Sequence, residues 1–125
     1  MIAEDEPDVA QIIAEKLRDR GYQSTVVDNG EDALRLMRTE APDLLISDIV
    51  MPRLNGEDLI RQMKSDPLLC RIPCIVITAK IGIDDLQKIW GIQGFLEKPF
   101  TMRELLAAIE NVFAASDPDR MRETS

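Results

Sequence analysis

Five residues of types that take part in phosphate and metal chemistry each follow a run of β-forming residues. They are Glu4, Asp5, Asp48, Thr78 and Lys98. Together, three carboxylates, a hydroxyl and an ammonium group could bind a divalent cation and handle a phosphoryl group, because that chemistry depends mostly on positioning and on neutralising negative charge.

Each of these residues also has a simpler interpretation when it is taken alone. Asp48 could cap a helix or a turn after its strand, Thr78 could cap a loop, and Lys98 could be a solvated lysine before a turn. The functional interpretation therefore depends on whether the fold brings the side chains together.

Runs of apolar or β-forming residues predict five β-strands, at residues 1–3, 22–27, 44–48, 74–78 and 95–97. The third and fourth runs are continuously apolar, which is typical of central strands that are covered on both faces. The first is only three residues long, whereas a strand usually has about five. We therefore expect either a clipped strand or a natural chain that begins earlier.

Five amphipathic segments between and after the strands predict helices. Pro7 at a first helical position opens the first helix and Gly21 closes it. Its predicted inner face carries Val9, Ile12, Ile13 and Leu17. The fourth helix, over residues 84–90, is the weakest, and Thr101 with Glu104 forms a capping box for the last.

Strands alternating with helices predict an α/β fold, a flavodoxin-like, doubly wound, five-stranded parallel sheet with five helices. We expect the strand order 2-1-3-4-5, which is taken from folds of this type. In that order Glu4, Asp5 and Asp48 lie within several ångströms of one another. Like charges about 4 Å apart repel by roughly 4 kcal/mol at an effective dielectric constant near 20, so this cluster needs a cation, a proton or a lysine. Oxygen ligands at a solvent-accessible edge suit Mg²⁺.

The composition limits the classes of function. At 125 residues the chain suits one domain. A formal net charge of −8 argues against direct binding to nucleic acid, which requires a basic face. There is no histidine and only two cysteines, so the usual zinc ligands are missing. Without an apolar stretch of about 20 residues or a signal peptide, we expect a soluble cytoplasmic protein with no membrane association.

The sequence resembles the receiver domains of bacterial two-component response regulators from residue 1 to about residue 115, which leaves 116–125 as a polar tail. The resemblance depends on four motifs in the order and spacing of that family. They are Glu4-Asp5, Asp48 to Pro52 with Gly56, Thr78-Ala79, and Lys98-Pro99-Phe100.

This resemblance implies a role for each matching residue. Asp48 would accept a phosphoryl group from a sensor histidine kinase or a histidine phosphotransfer protein. Mg²⁺ would be held by Asp5, Asp48 and the backbone carbonyl of Val50, with Glu4 acting directly or through water. Lys98 would contact the phosphoryl oxygens, and Thr78 and Phe95 would form a conformational switch. The chain would then be a signalling protein whose only chemistry is its own phosphorylation and dephosphorylation.

The family transmits its signal through the fourth helix, the fifth strand and the last helix. Here the segment between Thr78 and Lys98 is about two residues shorter than usual. A phosphorylation-dependent homodimer on this face is one expectation, but the family's mode of dimerisation does not follow from this sequence. We expect Trp90 on the same face, where it would either contact a partner or fill the space left by the shortening.

Two other functions are compatible with parts of the pattern. A Mg²⁺-dependent phosphohydrolase with an aspartyl nucleophile would need a second acid two residues after Asp48, where this chain has Val50. A receiver-like module that binds partners without phosphorylation would not need Asp5, Asp48, Thr78 and Lys98 together. We therefore favour the phosphorylation-driven switch.

Overall fold

In the computed structural model, which describes residues 1–49, 53–78 and 92–116, the chain forms a five-stranded parallel sheet with helices on both faces. The strands are β1 (Ile2–Ala3), β2 (Val26–Val27), β3 (Leu45–Asp48), β4 (Cys74–Thr78) and β5 (Gly94–Glu97). The helices in the described ranges are α1 (Pro7–Asp19), α2 (Gly30–Thr39), α3 (Gly56–Lys64) and α4 (Met102–Ser116). The predicted fourth helix, over residues 84–90, and Trp90 lie outside these ranges.

The strand order is β2-β1-β3-β4-β5, and every pair is parallel, which confirms the predicted topology. β3 and β4 are buried along their whole lengths. Their side chains alternate between two apolar clusters: Leu45 and Val76 belong to the cluster with α2 and α3, whereas Ile46 and Ile77 belong to the cluster with α1 and α4. Burying one such side chain contributes about 1.5–3 kcal/mol. The two clusters therefore fix the central strands from both sides.

β2 is shorter than the strand predicted over residues 22–27. A strand forms only where a neighbour offers hydrogen bonds, and β1 supplies two residues, Ile2 and Ala3, which pair with Val26 and Val27. Next to residues 22–25 lies a cavity of about 590 Å³, open to solvent and lined in part by Tyr22, Thr25 and Leu44. The sheet therefore borders open space at the end where β1 begins.

α1 begins at Pro7 and is followed by Gly21, as predicted; Gly21 has a φ of 87°, which favours glycine. Its inner face differs from the prediction at one position, because Ile12 is 49% exposed. Successive residues lie about 100° apart around a helix. The buried stripe is centred on Ile13 and Leu17, so Ile12 falls outside it.

The last helix begins with the predicted capping box. The backbone N–H of Glu104 donates to Oγ1 of Thr101 at 3.1 Å, and the N–H of Thr101 donates to Oε1 of Glu104 at 3.2 Å. This reciprocal pair satisfies two amides that the first turn of a helix leaves without partners. Among the described residues, no helix is both long and apolar enough to cross a membrane.

Candidate functional site

Three carboxylates meet at the edge of the sheet where the parallel strands end. Glu4 and Asp5 follow β1, and Asp48 is the last residue of β3. One carboxylate oxygen from each lies within 4.8 Å of the other two. The acids converge because β1 and β3 are neighbours in register, with Ala3 paired to Ser47. Glu4 and Asp48 are buried, whereas Asp5 is exposed.

Lys98 reaches this cluster from the other side. Its Nζ donates a hydrogen bond to Oδ2 of Asp48 at 2.9 Å and lies 3.5 Å from Oε2 of Glu4. The backbone of Lys98 is fixed to the end of β4, because its N–H donates to the carbonyl oxygen of Thr78 at 2.8 Å. The ammonium group therefore extends past β4 to the acids that follow β3 and β1.

The charges around Lys98 act on its pKa. Partial burial lowers the pKa of the ammonium group, but the hydrogen bond and the charge of Asp48, with the charges of Glu4 and Glu6, raise it above its ordinary value. Glu6 lies 3.6 Å from Nζ and was not among the predicted site residues. Its place two residues after Glu4, at the start of α1, was the only signal in the sequence. Lys98 is therefore held as a cation.

Asp48 is held through both of its carboxylate oxygens. Oδ2 accepts from Lys98, and Oδ1 accepts from the backbone N–H of Ile49 at 2.7 Å. The loop that follows is closed by the N–H of Gly56, which donates to the carbonyl oxygen of Ile49 at 2.7 Å. A Cβ at Gly56 would overlap the carbonyl oxygen of Asp48, so the helix that follows can approach this closely only with glycine there.

Glu4 is a buried acid whose hydrogen bonding is incomplete. Its Oε2 is buried and has no hydrogen-bond partner among the described residues. Burial first, and then the charge of Asp48, raise the pKa of Glu4 to about 7. A buried carboxylate oxygen beside two other acids is the kind of hard ligand that a divalent cation such as Mg²⁺ takes. The donor set therefore fits such an ion.

Thr78 and Phe95 lie on the same face of the sheet. Thr78 is buried at the end of β4, and Phe95 pairs with Val76, two residues earlier on that strand. Because side chains two residues apart on a strand point to the same side, the hydroxyl and the ring share a face. Phe95 is half-buried against the cluster beneath α2 and α3. The other residues of the predicted site, Val50 and Ala79, lie outside the described residues.

The sequence matches a family model that describes the response regulator receiver domain, over residues 1–110. Among curated relatives, a probable transcriptional regulator, ycf29 of Pyropia yezoensis, is 38% identical over 127 aligned positions. That alignment covers 100% of this chain and 56% of the relative. The chain thus spans little more than half the length of this relative.

Solved structures show the same fold. A putative response regulator from Chloroflexus aurantiacus superposes with a TM-score of 0.84 at 30% identity, over 90% of this chain and 94% of the other. The receiver domain of a sensor histidine kinase from Pseudomonas aeruginosa has a TM-score of 0.78 at 28% identity, over 89% and 93% of the two chains. That structure holds a magnesium ion coordinated in its active-site cleft.

Proposed function

Because the chain belongs to the response regulator receiver domain family, we propose that it is a signalling switch that accepts a phosphoryl group on Asp48. One observation carries this proposal: a buried aspartate is hydrogen-bonded to a lysine at 2.9 Å and stands within 4.8 Å of two further acids. Such a site offers a nucleophile and, beside it, the positive charge that a phosphoryl group requires.

The proposed transfer starts from a phosphohistidine on a sensor histidine kinase or a histidine phosphotransfer protein. A carboxylate oxygen of Asp48 attacks the phosphorus, an O–P bond forms, and the P–N bond breaks as the leaving imidazole takes up a proton. Lys98 stands beside Asp48, where its ammonium group neutralises the phosphoryl oxygens. The hydroxyl of Thr78, at the end of the adjacent strand, donates to the same oxygens.

The site is proposed to hold Mg²⁺ through Asp5, Asp48 and the backbone carbonyl of Val50, with Glu4 acting directly or through water. Support comes from the buried Oε2 of Glu4, which has no hydrogen-bond partner among the described residues, and from the magnesium ion in the related receiver domain. When bound, the ion would supply positive charge that neutralises the negative charge of the phosphoryl oxygens.

Phosphorylation is proposed to act as a switch through Thr78 and Phe95. A phosphoryl group adds about 1.5–2 negative charges. Drawing the Thr78 hydroxyl toward these oxygens frees space on the face that Phe95 shares, and the ring turns inward. β5 and α4, with the segment before β5, then present a changed surface to an output partner or to a second copy of the chain. The size of the shift is set by how differently the phosphoryl group interacts with the two states.

The test is incubation of the native chain with acetyl phosphate and Mg²⁺, followed by intact mass measurement. The native chain should gain one phosphoryl group, and Asp48→Asn should gain none. Asp58→Asn makes the same change at a partly exposed position on α3 and should be phosphorylated like the native chain. EDTA should suppress the gain. A native chain that gains no mass, or an Asp48→Asn variant that gains as much, would show that Asp48 is not the acceptor.

A further inference from the structure

The first residue of α2 contacts the loop that follows Asp48. The backbone N–H of Gly30 donates to the carbonyl oxygen of Leu54 at 2.9 Å. A Cβ at Gly30 would overlap that oxygen and come within 2.8 Å of the carbonyl carbon of Leu54. These are backbone atoms, so no side-chain rotation could relieve the overlap. The hydrogen bond therefore exists only because residue 30 is glycine.

The first turn of α2 is itself firmly held. Asn29, which is fully buried, accepts a hydrogen bond from the N–H of Asp32 at 2.9 Å, and its amide donates to Oδ1 of Asp28 at 2.7 Å. Because Asn29 follows β2 closely, the start of α2 is fixed relative to the sheet. Leu54 is thus bonded to a rigid element.

Arg53 adds a second link between the loop and α2. Its guanidinium lies 3.8 Å from Glu31 and 3.9 Å from Asp32. These exposed ion pairs are weak. Arg53 also has a φ of 65°, a backbone conformation that is unfavourable for a residue with a side chain. A strained residue beside Leu54 indicates that the position of this loop is set by its contacts and not by local preference.

The other end of the loop is joined to Asp48. The carbonyl oxygen of Ile49 accepts from Gly56, while the N–H of Ile49 donates to the Asp48 carboxylate. Leu54 lies two residues before Gly56. A displacement of Leu54 therefore shifts Gly56, whose N–H is bonded to the peptide that follows Asp48.

We propose that Gly30 is a positioning residue for the phosphoacceptor site. By letting α2 bond to Leu54, it fixes the segment from Leu54 to Gly56, which holds Ile49 and, through the N–H of Ile49, the carboxylate of Asp48. This inference rests on the proposed function, in which the Asp48 carboxylate binds the cation. Gly30 touches neither the cation nor the phosphoryl group, and acts only through the loop.

The test is the affinity of Gly30→Ala for Mg²⁺, measured by isothermal titration calorimetry. We expect the dissociation constant to rise about tenfold, the lower end of the effect of removing a group that orients a metal ligand. Phosphorylation by acetyl phosphate should slow by the same factor at low Mg²⁺ and recover at saturating Mg²⁺. A role confined to stability would not give this dependence on Mg²⁺.

Gly21→Ala is the matched control. Gly21 has a φ of 87° and open space around its Cα, so alanine there strains the backbone without a steric overlap. It lies near the opposite edge of the sheet, and the variant should lose thermal stability while its dissociation constant for Mg²⁺ stays at the native value. If Gly30→Ala is poorly folded in buffer, all three chains are compared in trimethylamine N-oxide, which favours compact states.

The outcomes separate this inference from the proposed function. A native dissociation constant in folded Gly30→Ala, or an equal rise in both glycine variants, overturns the positioning role and leaves phosphorylation of Asp48 intact. A native chain that neither binds Mg²⁺ nor accepts a phosphoryl group contradicts both proposals. A rise confined to Gly30→Ala supports the inference.

Discussion

Lys98→Met is expected to slow the phosphorylation of Asp48 by acetyl phosphate about a hundredfold at saturating Mg²⁺. Removing one preorganised donor to a developing negative charge typically costs that much or more. Here the Nζ of Lys98 lies 2.9 Å from Asp48, so it is the described side chain best placed to neutralise the incoming phosphoryl oxygens. The rate is obtained from the growth of the phosphorylated species in a time course of intact mass.

Two variants make this result specific. Lys16→Met removes the same charge from an exposed position on α1 and should leave the rate at the native value. Lys98→Arg keeps the charge but replaces a compact ammonium group with a larger, planar guanidinium group, so it should recover only part of the rate. Equal rates for Lys98→Met and the native chain would mean that Lys98 serves the fold and not the transfer.

The free energy of unfolding in EDTA is expected to fall as the pH rises from about 4.5 to about 7, because of Glu4. Folding raises the pKa of this carboxyl from 4.5 to about 7, chiefly through burial and then through the charge of Asp48. The folded chain therefore holds a proton that the unfolded chain has lost. The stabilisation is fully present below pH 4.5 and is lost as the pH rises through about 7. A shift of this size corresponds to about 3 kcal/mol.

Urea unfolding of the native chain and Glu4→Gln over this pH range measures the effect. The chain has no histidine, but burial lowers the pKa of the Met1 amine below its ordinary value, so this group also affects how the stability of both chains depends on pH. The contribution of Glu4 is therefore the difference between the two chains. That difference should narrow at saturating Mg²⁺, because the ion stabilises the ionised carboxylate. Parallel pH profiles in EDTA would contradict the raised pKa.

The central part of the fold could be predicted because its signals are local. The continuous apolar runs of β3 and β4 can only be buried on both faces, and the residue that ends each run then lies at the functional edge. The strand order was taken from folds of the same type, and it is the order that places Glu4 beside Asp48. Given the burial of β3 and β4 and this strand order, the convergence of Glu4 and Asp48 follows from the register of the strands.

The features that were missed depend on contacts between distant parts of the chain. β2 begins at Val26, later than predicted, because pairing requires a partner, and the length of β1 is not encoded in residues 22–25. The role of Gly30 could not be predicted, since its contact with Leu54 joins residues far apart in sequence. Glu6 was not assigned to the site because the reach of Lys98 depends on its side-chain conformation.

The brevity of β1 also affects how the sheet opens. β3 and β4 pair over four residues, whereas β1 pairs with each neighbour over two, beside a cavity of about 590 Å³. Local opening requires the least free energy where few buried contacts are lost. We therefore expect the amide protons of β1 and β2 to exchange with solvent through smaller fluctuations than those of the centre of the sheet. Glu4 directly follows β1, so such a fluctuation would move this acid relative to Asp48 and Lys98.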